Sequence, residues 1–332
     1  MKQKQLLIIG FSLCFLFLGA CDATTESAEK TASGEKDSVR LASWSQPISE
    51  QINLLVDAEK HFFQENNLDI TFIPGAGGGD AIKNILTGKA DIAFTDPGSL
   101  FGALDKGEKL KVIYNIYPQN VFNVVSLKEK NITKPEDLKG KTIGVYSLSS
   151  GTRQNLLILL HQVGLTEADV NIVETGLLNF APLIQGQVDA TAATDTGLFL
   201  GKQKGLSDVN VMEVKDVLNF PSDVFVVTEE MYEENKELLT TFIKSYQESA
   251  EWMMEEPKEA AALAVEHAID GKDEETNYHI IQLRNEASKN KQGMGYTDIN
   301  TLQKAADMYR ELGLIENQLN LSDDVTNEFI PR

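Results

Sequence analysis

Residues 147–154 read Ser-Leu-Ser-Ser-Gly-Thr-Arg-Gln and lead into an unbroken apolar run from Leu156 to Leu160. Ser149, Ser150 and Thr152 are cap-type residues at the head of a strongly apolar helix. Such a terminus offers free N–H groups, hydroxyls and a partial positive charge, which suits an anionic or polar ligand group. The Ser149-Ser150-Gly151-Thr152 turn is therefore a candidate ligand contact. Arg153, one of five arginines, could add a bidentate clamp; a capped helix with a surface arginine accounts for it equally well. Residues 74–80 (Pro-Gly-Ala-Gly-Gly-Gly-Asp) cluster glycines that permit close backbone approach. Gly77 and Gly78 could wall a cleft with N–H groups, or the stretch is a flexible turn. Nucleotide fingerprints fail here, because Asp80-Ala81 stands where a P-loop needs Lys-Ser/Thr.

Asp195-Thr196-Gly197 has the aspartic-protease spelling, but its nearest match is Asp96-Pro97-Gly98 rather than a second Asp-Thr-Gly. Thr95-Asp96 and Thr194-Asp195 instead read as the ends of equivalent strands facing a cleft. Carboxylates there could accept hydrogen bonds from a ligand amine or amide; helix capping is the alternative for both. No catalytic residue is expected. His161 lies eleven residues from Ser150, which is ~16 Å down a helix and far outside hydrogen-bond reach. The four histidines lack metal-ligand spacing, and no cofactor or metal is expected.

These residues need elements to hold them. From Val39, strand-like runs (39–44, 68–73, 90–95, 110–116, 121–127, then 141–146, 169–174, 188–193, 209–214, 223–228) alternate with helical spacing at 48–65, 79–87, 152–163 and 179–185. Such alternation means βαβ units on mostly parallel sheets. From 231 the pattern is helical, over 231–254, 257–269, 274–289 and 298–312. Residues 82–94 (IKNILTGKADIAF) match 180–192 (FAPLIQGQVDATA) at an offset of 98, with Gly88 on Gly186 and Asp91 on Asp189. Two similar α/β lobes imply a cleft, and ligands of such lobes sit beyond the carboxyl ends of the strands. The strand-to-helix turns to search are 44–48 (with Trp44 and Gln46), 74–80, 95–99, 147–153 and 194–197.

Composition is that of an ordinary globular chain, 42% hydrophobic and 24% charged over 332 residues. Fifty acids against thirty bases give a net charge of −20, which argues against a nucleic-acid partner. The only cysteines are Cys14 and Cys21, so a disulfide scaffold or a cysteine nucleophile in the body is excluded. Residues 1–5 carry two lysines, and 6–18 are mostly apolar but shorter than the roughly 20 residues of a spanning helix. With Leu18-Gly19-Ala20-Cys21 next, residues 1–20 read as a signal peptide and Cys21 as the lipidated first residue of a bacterial lipoprotein. Residues 21–38 then form a solvated tether.

Three stretches carry a family resemblance: 79–96 (GDAIKNILTGKADIAFTD), 132–146 (ITKPEDLKGKTIGVY) and 242–266 (FIKSYQESAEWMMEEPKEAAALAVE). The chain resembles the solute-binding lipoproteins of ABC importers, in the nitrate, sulfonate and taurine group and its thiamine-pyrimidine-precursor relatives. The resemblance implies an α/β, two-lobed Venus-flytrap fold (periplasmic binding protein type II) with two crossover strands near Val121–Ser126 and Val224–Thr228 and a helical C-terminal part. Residues 39–124 and 226–332 would form lobe 1 and 125–225 lobe 2. Trp44, ending the first strand, would face the cleft and stack on a planar ligand, or else belong to the lobe core. Ser149 to Thr152 fit a sulfonate-facing turn, whereas Trp44, Asp96 and Asp195 fit an amine-bearing heterocycle better. The implied function is capture of a small polar nutrient outside the cell by a lipid-anchored, monomeric receptor. It would deliver that nutrient to a membrane permease with an ATPase subunit. An enzyme on the same fold acting on a pyrimidine-type substrate, or an importer-independent surface sensor, are the alternatives.

Overall fold

The computed structural model describes residues 36–178 and 180–331. The signal segment, Cys21 and nearly all of the tether lie outside the described residues. In chain order the strands are β1 (Asp37–Ser43), β2 (Leu68–Ile73), β3 (Ile92–Thr95), β4 (Leu110–Tyr117), β5 (Phe122–Leu127), β6 (Thr142–Val145), β7 (Asn171–Glu174), β8 (Ala190–Thr194), β9 (Val209–Glu213) and β10 (Asp223–Thr228). They build two five-stranded mixed sheets, β2-β1-β3-β10-β4 and β7-β6-β8-β5-β9. Within each sheet a parallel trio forms the βαβ part: β2-β1-β3 in the first and β7-β6-β8 in the second. The strand donated by the chain crossing, β10 or β5, runs antiparallel to its neighbours.

The helices are α1 (Asp57–Lys60), α2 (Gly78–Leu86), α3 (Pro97–Asp105), α4 (Gly151–Gln162), α5 (Ala181–Ile184), α6 (Asp195–Gln203), α7 (Glu229–Glu234), α8 (Lys236–Glu255), α9 (Pro257–His267), α10 (Glu274–Ala287) and α11 (Ile299–Glu311). Both faces of the first sheet are covered. Val39 and Leu41 pack with Phe242, Ile243 and Tyr246 of α8, while Ala42 and Ala93 face α2 and α3 through Ala81, Ile85 and Phe101. Burial on both faces explains why β3, β4 and β10 read as near-continuous apolar runs, whereas β2 at the sheet edge mixes polar and apolar residues. The largest cluster runs on through Val124, Ile143 and Leu156 to Leu160 of the second lobe and takes in Leu302 and Tyr309 of α11.

The internal repeat is a repeat of structure. Gly88 and Gly186 both take left-handed φ, 68° and 69°, the conformation that stops a helix at glycine. Asp91 Oδ2 then accepts from the Arg40 backbone N–H at 2.7 Å, and Asp189 Oδ2 from the Thr142 N–H at 3.1 Å. The same aspartates return their own N–H groups to Arg40 O and Thr142 O, both at 2.8 Å.

The strand ladders bear on where the lobes divide, and one expectation, the helix over 48–65, is corrected. The chain leaves the first sheet between Tyr117 and Phe122 and returns between Glu213 and Asp223. The lobe limits at 124/125 and 225/226 would cut through strands whose whole ladders lie in one sheet: β5 pairs from Phe122 to Leu127, and β10 from Asp223 to Thr228. Residues 48–65 are not one helix. They form a 3-10 turn at Ser49–Leu54, the single turn α1 and a second 3-10 turn at Gln64–Asn66. Asp57 Oδ1 takes the Phe63 N–H at 2.8 Å, and His61 sits at φ 60°. A side chain that claims a backbone donor in this way competes with helix propagation.

Candidate functional site

The carboxyl ends of β1, β3, β6 and β8 converge on a cleft between the sheets. Its outer part is a cavity of about 360 Å³ lined by, among others, Trp44, Glu50, Tyr146, Thr152, Thr194 and Thr196. An inner recess of about 30 Å³ adjoins it, where Asp96, Phe122, Ser150, Gly151, Asp223 and Arg284 join Trp44, Glu50, Tyr146, Thr152 and Thr194. The recess holds about one water's worth of space.

Trp44 follows β1 and stands across the cleft from Tyr146, which follows β6. Their rings meet edge-on at 6.1 Å and 88°, and Trp44 also meets Phe94 at 6.4 Å and 83°. Trp44 Nε1 is buried and has no hydrogen-bond partner among the described residues. On the opposite wall, Ser150 is the N-cap of α4 but its side chain accepts no N–H from the helix. Its hydroxyl is spent on Ser147 O (2.6 Å) and on Thr152 Oγ1 (2.7 Å). The α4 terminus thus faces the recess without a capping side chain. Gly151 is needed there, because a Cβ would come 2.7 Å from the Phe122 ring.

The floor is acidic. Asp96 caps α3, accepting from Ser99 N (2.9 Å) and Ser99 Oγ (2.7 Å). Glu50 accepts from Thr196 Oγ1 at 2.9 Å and lies 3.6 Å from Arg284 Nε. Asp223 heads β10 beside a register shift. Burial pushes all three carboxyls above the ordinary range. For Asp223, pushed furthest, the charges of Asp96 and Glu50 add to it. Arg284 is 1% exposed, ion-pairs with Asp195, and lies over the Tyr117 ring at 5.1 Å. It is held there by α10, whose Asn277, Ile280, Ile281 and Arg284 share one buried face.

The candidate residues fall into three groups. Trp44, Asp96, Ser150, Gly151, Thr152 and Thr194 line the cleft. Gln46, Gly77, Gly78 and Ser149 build its rim: Gln46 Nε2 donates to Gly75 O (3.1 Å), Gly79 N–H to Ser149 O (2.9 Å) and Ser149 Oγ to Ala76 O (3.2 Å). A Cβ on Gly77 would lie 2.4 Å from Ser149 O, and one on Gly78 2.2 Å from Asp96 Oδ2. Arg153 and Asp195 are engaged elsewhere. Arg153 turns away from the cleft and clamps Glu167, at 3.1 and 2.5 Å, because Glu167 presents both oxygens on the outer side of α4. Asp195 is bound to Arg284 rather than free for a ligand. The equivalence of Asp96 with Asp195 also shifts by one residue. Thr194, not Asp195, caps α6 as Asp96 caps α3, which is what the offset of 98 gives.

Glu50, Asp223 and Arg284 escaped the sequence reading. The one available signal was a lone Asp opening the apolar run 223–228; Glu50 and Arg284 stand in polar helical stretches without a motif. Among the described residues no group of three or more metal-ligating side chains is assembled, and no helix is long and apolar enough to cross a membrane.

Two lobes with this strand order define the periplasmic-binding-protein fold. The periplasmic aliphatic sulphonate binding protein SsuA of Escherichia coli superposes with a TM-score of 0.62 at 16% identity, over 87% of this chain and 97% of that one. The NMT1/THI5 like family model matches residues 49–260, and the chain belongs to that family. Among curated relatives, the riboflavin-binding protein RibY of Chloroflexus aurantiacus is 24% identical over 100% of this chain and 99% of its own length. The formylaminopyrimidine-binding protein of Halalkalibacterium halodurans is 25% identical over 86% and 84%. A 4-amino-5-hydroxymethyl-2-methylpyrimidine phosphate synthase of Saccharomyces cerevisiae is 23% identical over 66% and 68%.

Proposed function

We propose that this chain is the extracytoplasmic solute-binding lipoprotein of an ABC importer, and that its solute is a planar nitrogen heterocycle of the pyrimidine or flavin type. The observation that carries the ligand class is the acid floor. Three buried carboxyls, Glu50, Asp96 and Asp223, surround a recess walled by Trp44, Tyr146 and Phe122. Carboxyls held above their ordinary range offer a donor beside an acceptor, which complements the edge of a nitrogen heterocycle, while Trp44 and Tyr146 extend into the outer cavity of about 360 Å³, where a flat ring has room and its edge can reach the recess. Two binding proteins among the relatives are named for riboflavin and formylaminopyrimidine.

In this reading the lobes close on the solute, and the closed form docks on a permease served by an ATPase. Ligand contacts completed only on closure shift the population toward the closed state. The receptor acts as a monomer, held to the outer face of the cell membrane by acyl chains on Cys21 after residues 1–20 are removed. Its lobes are the first sheet with the C-terminal helices and the second sheet with its own. No covalent step is required, and the ligand leaves as it came.

The test is a thermal-shift screen against riboflavin, aminopyrimidines, taurine and nitrate. A heterocycle at a hundred times its Kd adds about 2.7 kcal/mol of stability; a shift by taurine or nitrate alone would sink the reading. Mass spectrometry of the membrane fraction tests the anchor. Diacylated Cys21 at the N-terminus is expected, and Cys21→Ala should leave the protein unlipidated.

One observation favours a second reading. The α4 terminus opens into the recess with no capping side chain, as an anion site would. Asp96, whose Cβ lies 3.2 Å from where a Gly151 Cβ would stand, and the Phe122 ring crowd that spot and leave little room for a tetrahedral anion.

A further inference from the structure

The three floor acids are not alike. Asp96 has its oxygens engaged by Ser99, and Glu50 is held by Thr196 and Arg284. Asp223 is 5% exposed, and among the described residues no donor reaches its carboxyl. What exposure it keeps belongs to the recess it lines. It opens β10 at a register shift, and such irregularities re-aim a side chain out of the ladder. The Nε1 of Trp44, which lines the same recess, is also buried and unpaired. Buried polar groups without partners are rare and call for an explanation. A carboxyl open to the recess and an indole N–H without a partner, side by side, mark the place of a ligand that supplies the partners.

We infer that the Asp223 carboxyl reads the solute's ring edge, selecting an edge on which an N–H donor lies next to an acceptor. This deepens the heterocycle reading and rests on it. A neutral carboxyl carries one O–H donor and one carbonyl acceptor in a plane. It therefore closes a two-point pair with the amino group and ring nitrogen of an aminopyrimidine, or with the N–H and carbonyl of a flavin's imide. A carboxylate could make only the first of those contacts, and sulfonate or nitrate offers it no donor at all.

The surroundings favour the neutral form. Asp223 faces the acids Asp96, from the β3–α3 junction, and Glu50, from the 3-10 turn after β1. Tyr117 of β4 and Tyr246 of α8 also face it and are both held protonated by burial. Among the described residues the cation on the recess is Arg284 of α10, which ion-pairs with Glu50 and Asp195. Burial and like charge together hold Asp223 above the ordinary carboxyl range. Solute affinity therefore depends on a proton carried by the protein.

Calorimetric titration of riboflavin and of 4-amino-5-hydroxymethyl-2-methylpyrimidine into wild type, Asp223→Asn and Asp223→Ala, from about pH 5.5 to about 8.5, decides it. Asparagine keeps one donor and one acceptor without titrating. Asp223→Asn should bind within a few-fold of wild type in mild acid and be less dependent on pH. Wild type should weaken relative to it as pH rises. Asp223→Ala should lose about tenfold or more at every pH. N3-methylated riboflavin, lacking the edge N–H, should bind wild type no better than riboflavin binds Asp223→Ala. A carboxyl that only shapes the fold would make Asp223→Asn less stable, whereas removing an unpartnered buried acid should raise Tm. If wild type binds a probe and Asp223→Ala matches it, the inference is wrong and the heterocycle reading stands. If wild type binds neither probe, both fall.

Discussion

Arg284, buried on a C-terminal helix, ion-pairs with Asp195 at the head of α6, so one cation joins the first lobe to the second. The same guanidinium lies 3.6 Å from Glu50, which accepts from Thr196 across the same gap. Lobe contact on this side of the cleft thus depends on a charge no solvent can replace. On the other side it depends on uncharged groups, the Gly79 N–H on Ser149 O and the Ser147 and Ser149 hydroxyls on Ala76 O.

Removing the cation leaves Glu50 buried without its counter-charge. Arg284→Met should destabilise the protein by about 3–5 kcal/mol, the usual cost of breaking a buried pair from one side. Asp195 is a third exposed on its side chain, so Asp195→Asn should cost only about 1 kcal/mol. Its larger effect should be on solute affinity, through a weaker closed state. Urea unfolding separates the two. Equal losses for both variants would contradict this division.

The glycine rim predicts a variant that impairs closure and little else. Gly77 sits at φ 143°, and its Cβ would meet Ser149 O at 2.4 Å. Gly77→Ala should open the lobes and weaken solute binding about tenfold or more, with the first sheet intact. Small-angle scattering of the unliganded variant should show a larger radius of gyration than wild type. An unchanged radius and affinity would count against the rim contact.

Stability should respond to pH in two opposite senses. Glu50, Asp96 and Asp223 are raised by burial, so the folded state keeps protons that the unfolded chain releases. Their contribution is present below the ordinary carboxyl range and is lost as pH climbs through their folded values. Asp137, Asp169 and Asp273 are lowered by the backbone N–H groups of Thr133, Thr166 and Thr276. Their contribution is present above the ordinary range and lost as pH falls through their folded values. The urea midpoint should rise from neutral pH into mild acid and then drop in strong acid, and Asp223→Asn should flatten the first slope. A midpoint that climbs steadily to neutral pH would be inconsistent with neutral floor acids.

Trp44 is the test of the aromatic wall. Trp44→Ala should lower solute affinity about tenfold. It should also cost stability, since the ring packs on Phe94 as well as Tyr146. Trp44→Phe should restore most of the stability and part of the binding. Unchanged affinity in both would place the solute elsewhere.

The ten strands were legible as short runs of strand-forming residues bounded by turn residues, even at β7 and β9, where no residue is fully buried. The repeat was legible because Gly88 and Gly186, with Asp91 and Asp189, do the same local work in each lobe. Residues 48–65 misread as a helix because their spacing is helical while Asp57 diverts the Phe63 N–H. The floor of the site stayed hidden for a different reason. Asp223, Glu50 and Arg284 meet only after the chain has crossed between sheets twice, and nothing local marks any of them. Arg153 stayed open between a clamp and a surface arginine because its partner, Glu167, lies fourteen residues on, beyond the far end of its own helix.

The central claim is that the cleft holds a nitrogen heterocycle through its acid floor. Isothermal titration of the purified protein in mild acid, with riboflavin, the aminopyrimidine and MOPS in parallel, tests it most directly. Saturable binding of one of the two heterocycles, with no heat from the sulfonate, is the predicted result. Saturable binding of MOPS with neither heterocycle taken up would contradict it.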